Sequence, residues 1–322
     1  MRFIRRQILK SIIAFVVMVH LVFLLPRLVP GSAADTLAVG YGGVPAAVVA
    51  SLNARLGLGQ PLWIQYVDYI KGIFTNWPPY FGVSYAFYPY SVTYLIWQRF
   101  PFTLLLIAAS FVLSSLLSFV LGVVSSLRRG SKFEFASMYS SIIFWATPPF
   151  WLSLLFIWIF GVDLHWFSPF GTGGFGASGA AAVSDTIQHL ILPIITMTAA
   201  TFGFQFLILR GAAQQVLESD YVIAARARGL RNRLVAMGYI LRNSMLPLTS
   251  LLGYTISFMV STAVFVEYVY GYNGVGDLLV DGIINRDYPI LEGGLFYITL
   301  MVIIFSLLGD FILLRLDPRL RR

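Results

Sequence analysis

The sequence predicts an all-α polytopic membrane protein: six transmembrane helices, N and C termini cytoplasmic, and an external segment between helices 1 and 2. Three observations predict it. Of 322 residues, 58% are hydrophobic and only 11% charged, with a mean hydropathy of +0.80, far too apolar for a soluble domain of this length. Six apolar runs can each cross a bilayer, five as they stand and the first once its apolar flanks are counted. Helices placed on them divide the 22 basic residues 17 to 5 between the two sides, and the side richer in Lys and Arg is the cytoplasmic one. The formal charge of +8 suits anionic membrane lipid, so nucleic acid is not needed as a partner. The absence of cysteine excludes disulfides, thiol catalysis and zinc–thiolate sites.

Residues 1–29 are the expected first helix. Arg2, Arg5, Arg6 and Lys10 precede the run from Ser11 to Pro26, and Ser32-Ala33-Ala34 follows, which also fits a cleaved signal peptide. Ile8, Leu9, Leu28 and Val29 lengthen the run enough to span, so the helix is expected to be retained. Residues 30–100 hold nothing long and apolar enough to cross and read as the external segment. Within it, Trp63, Tyr66, Val67, Ile70 and Phe74 fall at helical spacing on one face, with Gln65, Asp68 and Lys71 off it. An aromatic patch from Trp77 to Trp97 follows and reads as an interfacial belt or a substrate-facing surface.

Residues 101–314 carry the other five runs: Pro101 to Leu127, Ala136 to Val162, Thr186 to Leu209, Ser244 to Val266, and Gly293 to Gly309 extended by Phe311 to Leu314. Pro148-Pro149 is expected to kink the second of them. Gly161 to Asp185 reads as a flexible external connection. Gly271, Gly274 and Gly276 before the last run mark either plain turns or a re-entrant loop. Residues 315–322 form a tail.

The polar interval at 210–247 stands apart. Asp220 is the expected N-cap, Tyr221 to Arg228 a helix-forming octet, and Gly229 a left-handed stop. Ala224, Ala225 and Ala227 remove bulk, which would let another protein's groove approach the backbone, while Arg226, Arg228, Arg231 and Arg233 supply charge. An ordinary basic loop between two membrane helices would show the same spacing.

Asp220-Tyr221-Val222, then Ala225-Arg226-Ala227-Arg228-Gly229-Leu230, and later Leu241-Arg242-Asn243 and Leu246-Pro247 resemble the coupling-helix loop of ABC-transporter permeases of the dipeptide/oligopeptide/nickel branch. Arg5-Arg6 through Pro30-Gly31, Leu56 to Tyr66, Glu267 to Leu279, and Asp317-Pro318-Arg319 extend the resemblance over nearly the whole chain. Ile223 departs from the wider pattern, where many importers carry glutamate. The resemblance implies a permease subunit that pairs with a second permease. Two cytoplasmic ATPase subunits would dock on Asp220, Tyr221, Ala224, Ala225, Arg226, Ala227, Arg228, Gly229 and Leu230, and an external substrate-binding protein would deliver dipeptides or oligopeptides. Oligosaccharide is the alternative cargo.

Other classes fit less well. No Gly-Lys pair exists, so there is no Walker A loop; ATP would be bound by the partners, with no cofactor or metal here and no catalytic residues. His20 and Asp310 are the ionisable groups expected inside the membrane, too few for an ion-coupled carrier. Asp163, Asp185, Asp277, Asp281, Glu292, His165 and His189 form no recognisable catalytic spacing, and a passive channel would leave the Ala224 to Gly229 helix without a role.

Overall fold

The structure, a computed structural model, describes residues 2–28, 54, 59–173, 179–235, 238–239, 243–244, 247–248 and 251–316. Leu241, Arg242, Leu246, Pro30-Gly31, Leu56 to Leu58, the glycine-rich residues 174–178 and Asp317 to Arg319 lie outside them. The described helices, in order, are α1 (Arg2–Leu28), α2 (Leu62–Thr75), α3 (Val92–Leu127), α4 (Lys132–Ala146), α5 (Pro149–Phe156), α6 (Ala180–Leu217), α7 (Asp220–Ala227), α8 (Asn232–Val235), α9 (Leu252–Tyr270), α10 (Val275–Ile284) and α11 (Tyr288–Leu316). A π-helical turn, Ile157–Asp163, continues α5. Among the described residues the β-structure is one isolated bridge, Val83 to Ser91.

Helices α1, α3, α6, α9 and α11 are long and apolar enough to cross a membrane. The sixth expected span is not a kinked helix but two helices, α4 and α5 with its π turn, bent by 108°. Two prolines in succession explain the difference. A residue before proline is pushed out of the α region, and here Thr147 (ψ 129°) and Pro148 (ψ 137°) both precede one, so the helix stops and restarts with Pro149 at its first position. The helices also overrun the apolar runs. Arg210 stands inside α6, and α3 begins at Val92, within the stretch read as external.

The chain divides into two compact units, one of Met1–Ile8, Leu104–Tyr272 and Ile304–Arg322, the other of Leu9–Thr103 and Asn273–Ile303. In the first, α6 packs tightly on α4: a Cβ added at Gly203 would stand 2.0 Å from the Ser141 carbonyl oxygen, so only glycine permits the approach. The Ser118 hydroxyl donates to the Phe202 carbonyl at 3.0 Å, tying α3 to α6.

The second unit buries Val19 and Phe23 of α1, Tyr69 and Ile73 of α2, Val92 and Ile96 of α3, Val275 and Leu278 of α10, and Ile290 and Phe296 of α11. The inward face of α2 is therefore Tyr69 and Ile73, with Tyr66 and Ile70 half-buried beside them; Trp63, Val67 and Phe74 are exposed. The apolar face read from the sequence was rotated, because Tyr69 and Ile73 were not counted in it. Asp287 is fully buried and accepts from the Ser84 hydroxyl at 2.6 Å and from the Tyr85 and Ala86 backbone N–H groups at 2.7 and 2.9 Å. Its other oxygen accepts from the Ile290 N–H, capping α11. Buried Glu292 pairs with Arg27, whose guanidinium also lies over the Phe23 ring. The long helices thus hold more ionisable groups than the apolar runs suggested, and Arg27 with Glu292, like Arg210 with Glu134, is engaged in an ion pair.

Candidate functional site

The site grows from the end of α6. Leu209, Ala213, Val216 and Leu217 recur at helical spacing and face a cluster that includes Val123 of α3. Glu218 closes α6, and Ser219, extended at φ −76° and ψ 145°, opens α7. Ser219 rather than Asp220 holds the N-cap position, and its hydroxyl donates back to the Val216 carbonyl instead of capping forward. Asp220 is the first helical residue, and Arg226 lies in the last turn, so each charge opposes the helix dipole at its own end.

At the other end, the Gly229 N–H donates to the Arg226 carbonyl at 2.9 Å and the Leu230 N–H to the Ala225 carbonyl at 3.3 Å. This pair of bonds is a Schellman stop, which requires a left-handed residue, and Gly229 supplies it at φ +79°. Leu230 then packs on the cluster.

Eight residues are too few for a helix to hold alone in water, so tertiary packing must hold this one. Val222 is 0% and Ala225 3% exposed; Val222 is a core member of the cluster with Val123, Leu209, Ala213 and Val235. The Tyr221 ring stands 6.0 Å from that of Tyr239, and the Asn243 amide donates to the Tyr221 hydroxyl at 3.3 Å and to the Tyr239 carbonyl at 3.0 Å. The opposite side of α7 is open. Asp220, Ile223, Ala224 and Ala227 are three or four residues apart, share one exposed face, and have Arg226 and Arg228 exposed beside them. Of the three alanines expected to admit a groove, Ala224 and Ala227 face outward and Ala225 faces inward.

A second anchor lies nearby. Arg210 of α6 donates through Nε to Glu134 of α4 at 3.1 Å and through a second nitrogen to the same carboxylate, and the Gln214 amide joins them at 3.1 Å. The other Glu134 oxygen accepts from the Gly130 N–H, while the Ser131 hydroxyl accepts from the Glu134 N–H. The sequence reading passed over this group, although Ser131-Lys132-Phe133-Glu134 carries the capping pattern. Arg129 and Glu218 also pair, but both are exposed and the pair adds little. Among the described residues no cluster of His, Asp or Glu could hold a metal ion.

Compared with known proteins, residues 116–322 match the family described as binding-protein-dependent transport system inner membrane component, and residues 1–107 match its N-terminal counterpart. The chain is 29% identical over 321 residues to an oligopeptide transport system permease protein of Escherichia coli, covering 100% of this chain and 99% of the relative. It is 30% identical over 335 residues to a di/tripeptide transport system permease protein of Pseudomonas aeruginosa, covering 99% and 98%. A solved structure of the MetNI methionine ABC transporter shares the fold, with a TM-score of 0.53 at 19% identity over 70% of this chain and 97% of that one. With both family matches and the end-to-end relatives in agreement, the chain belongs to the binding-protein-dependent transport system inner membrane component family and is an ABC-transporter permease subunit, a multi-pass protein of the inner membrane.

Proposed function

We propose that this subunit forms part of an ATP-driven importer that moves dipeptides or oligopeptides inward by alternating access, with α7 as the element that receives the motion of the ATPases. The observation that carries the proposal is the two-sidedness of α7. Val222 is locked into the cluster that joins α3 to α6, while Asp220, Ile223, Ala224 and Ala227 face outward. A rigid connector needs both halves: a partner that pushes on the open face moves the cluster, and the cluster moves the membrane helices.

The rest of the machine follows from the family. A second permease would complete the pore, two ATPase subunits on the cytoplasmic side would bind and hydrolyse ATP, and an external binding protein would deliver the substrate. The 17 to 5 division of basic residues favours cytoplasmic termini and puts α7 on the side where ATP is. Peptide cargo is favoured by the relatives named for oligopeptide and di/tripeptide transport. Trp77, Tyr80, Tyr94 and Trp97 line an open groove with Asn76, which gives oligosaccharide a second claim, since aromatic faces also suit sugar rings. Reconstitution with the partner subunits and binding protein is expected to give ATP-dependent uptake of short peptides. Uptake of oligosaccharides with none of any peptide would overturn the cargo, and no ATP-dependent uptake at all would overturn the function.

A further inference from the structure

The outward faces of the long helices are chemically unlike. On α3 the exposed side chains include Leu105, Val112, Leu116 and Val120, and on α11 Ile304, Leu308 and Ile312. Such faces suit lipid tails, which offer no hydrogen-bond partner. Helix α9 differs. Tyr254, Ser257, Phe258, Ser261, Phe265 and Tyr268 recur at intervals of three and four and fall on one side of the helix. Tyr254 and Phe265 are 53% and 54% exposed, Ser261 and Tyr268 are exposed, and Ser257 and Phe258 are half-buried. No aliphatic side chain stands on this stripe, and α9 is the least apolar of the five long spans. Its opposite side is buried, with Met259, Val260, Ala263 and Val266 inward.

The hydroxyls are set up to accept. Ser257 donates its proton to the Gly253 carbonyl at 2.7 Å and Ser261 to the Ser257 carbonyl at 3.2 Å, which leaves the oxygen lone pairs of both to the open side. The phenol hydroxyls of Tyr254 and Tyr268 have no partner among the described residues. Tyrosines near the ends of a span would suit the headgroup region, but Ser257 and Ser261 lie between them, where hydrocarbon would be deepest. The stripe also widens sideways: the Tyr254 ring is 5.1 Å from Phe204 of α6, which is 5.9 Å from Trp145 of α4.

We propose that this stripe of α9 lines the water-filled path by which the substrate crosses the membrane, offering hydroxyl acceptors to peptide N–H groups and aromatic faces to side chains. This rests on the peptide-importer reading and assigns its pathway. The stripe itself carries no charge, so nothing on it would trap a substrate by sign, and a surface of this kind accepts peptides of varied side chains.

The absence of native cysteine makes the test direct. Ser257→Cys and Ser261→Cys, and Leu116→Cys on the aliphatic face of α3 as a reference, would be assembled with the partner subunits in proteoliposomes and treated with a charged, membrane-impermeant thiosulfonate. In either the nucleotide-free or the ATP-bound state, both stripe cysteines are expected to react about tenfold faster than Leu116→Cys, because the reactive thiolate forms only where water reaches the sulfur. A transported peptide is expected to slow them. Rates equal to that of Leu116→Cys in both states would mean that lipid or a dry subunit contact covers the stripe, and would overturn the proposal. Fast labelling that no transported peptide slows would overturn the substrate contact. Uptake by the complex that carries the unsubstituted chain, measured in parallel, separates failure of this assignment from failure of the peptide reading.

Discussion

Gly229 has open space where a Cβ would stand, so steric crowding cannot be what keeps glycine there. The backbone can: at φ +79° a β-branched residue is strained by about 1–2 kcal/mol. Gly229→Val is therefore expected to loosen the end of α7 and sharply reduce uptake while the complex still assembles. Gly229→Asn, which tolerates the left-handed conformation, is expected to keep most of it. Normal uptake and substrate-stimulated ATPase activity in Gly229→Val would remove α7 as the coupling element. Val222 probes the other side of the same helix. Val222→Ala removes two methyl groups from a fully buried position and is expected to cost about 2 kcal/mol, read as a lower melting temperature and as ATP hydrolysis that substrate no longer stimulates.

At the scale of elements, α10 is pH-sensitive. Burial first, and then the charge of Asp281 one turn on, push Asp277 up from 3.8 to about 6, against the pull of Arg99 at 3.1 Å. A carboxyl raised in the folded state binds its proton more tightly folded than unfolded. Its contribution to stability is thus full below pH 3.8 and is lost as the pH rises through about 6. The melting temperature of the complex is expected to rise between pH 7 and 5 by more in the native chain than in Asp277→Asn, where that proton no longer titrates; equal slopes would contradict this. Which elements form was legible because it is local. Charge-free runs give spans, and Gly229 gives a stop. What was not legible depends on partners distant in sequence. Arg210 reads as the edge of a loop until Glu134, 76 positions away, is seen to hold it inside α6, and the inward turn of α7 at Val222 follows from Val123 and Leu209. The Pro148-Pro149 break was visible as a disturbance, but not as a bend of 108°.

At the scale of the molecule, a cysteine-free chain makes orientation measurable residue by residue. Cysteines at Ser131 and Arg231 are expected to react only with reagent on the cytoplasmic side, and one at Lys71 only from outside. Reaction of the Arg231 site from outside in intact cells would invert the topology and take the proposed docking face away from ATP. Helix α7 is expected to present Ala224 and Ala227, and not Ala225, to an ATPase. Single cysteines at the three positions, in the purified complex with a short thiol-to-amine cross-linker, test it directly. Ala224→Cys and Ala227→Cys are expected to capture an ATPase subunit, with yields that change on adding ATP, while Ala225→Cys, at a buried position, captures none. Capture by Ala225→Cys alone, or no capture of an ATPase at any of the three in an assembled complex, would contradict the account.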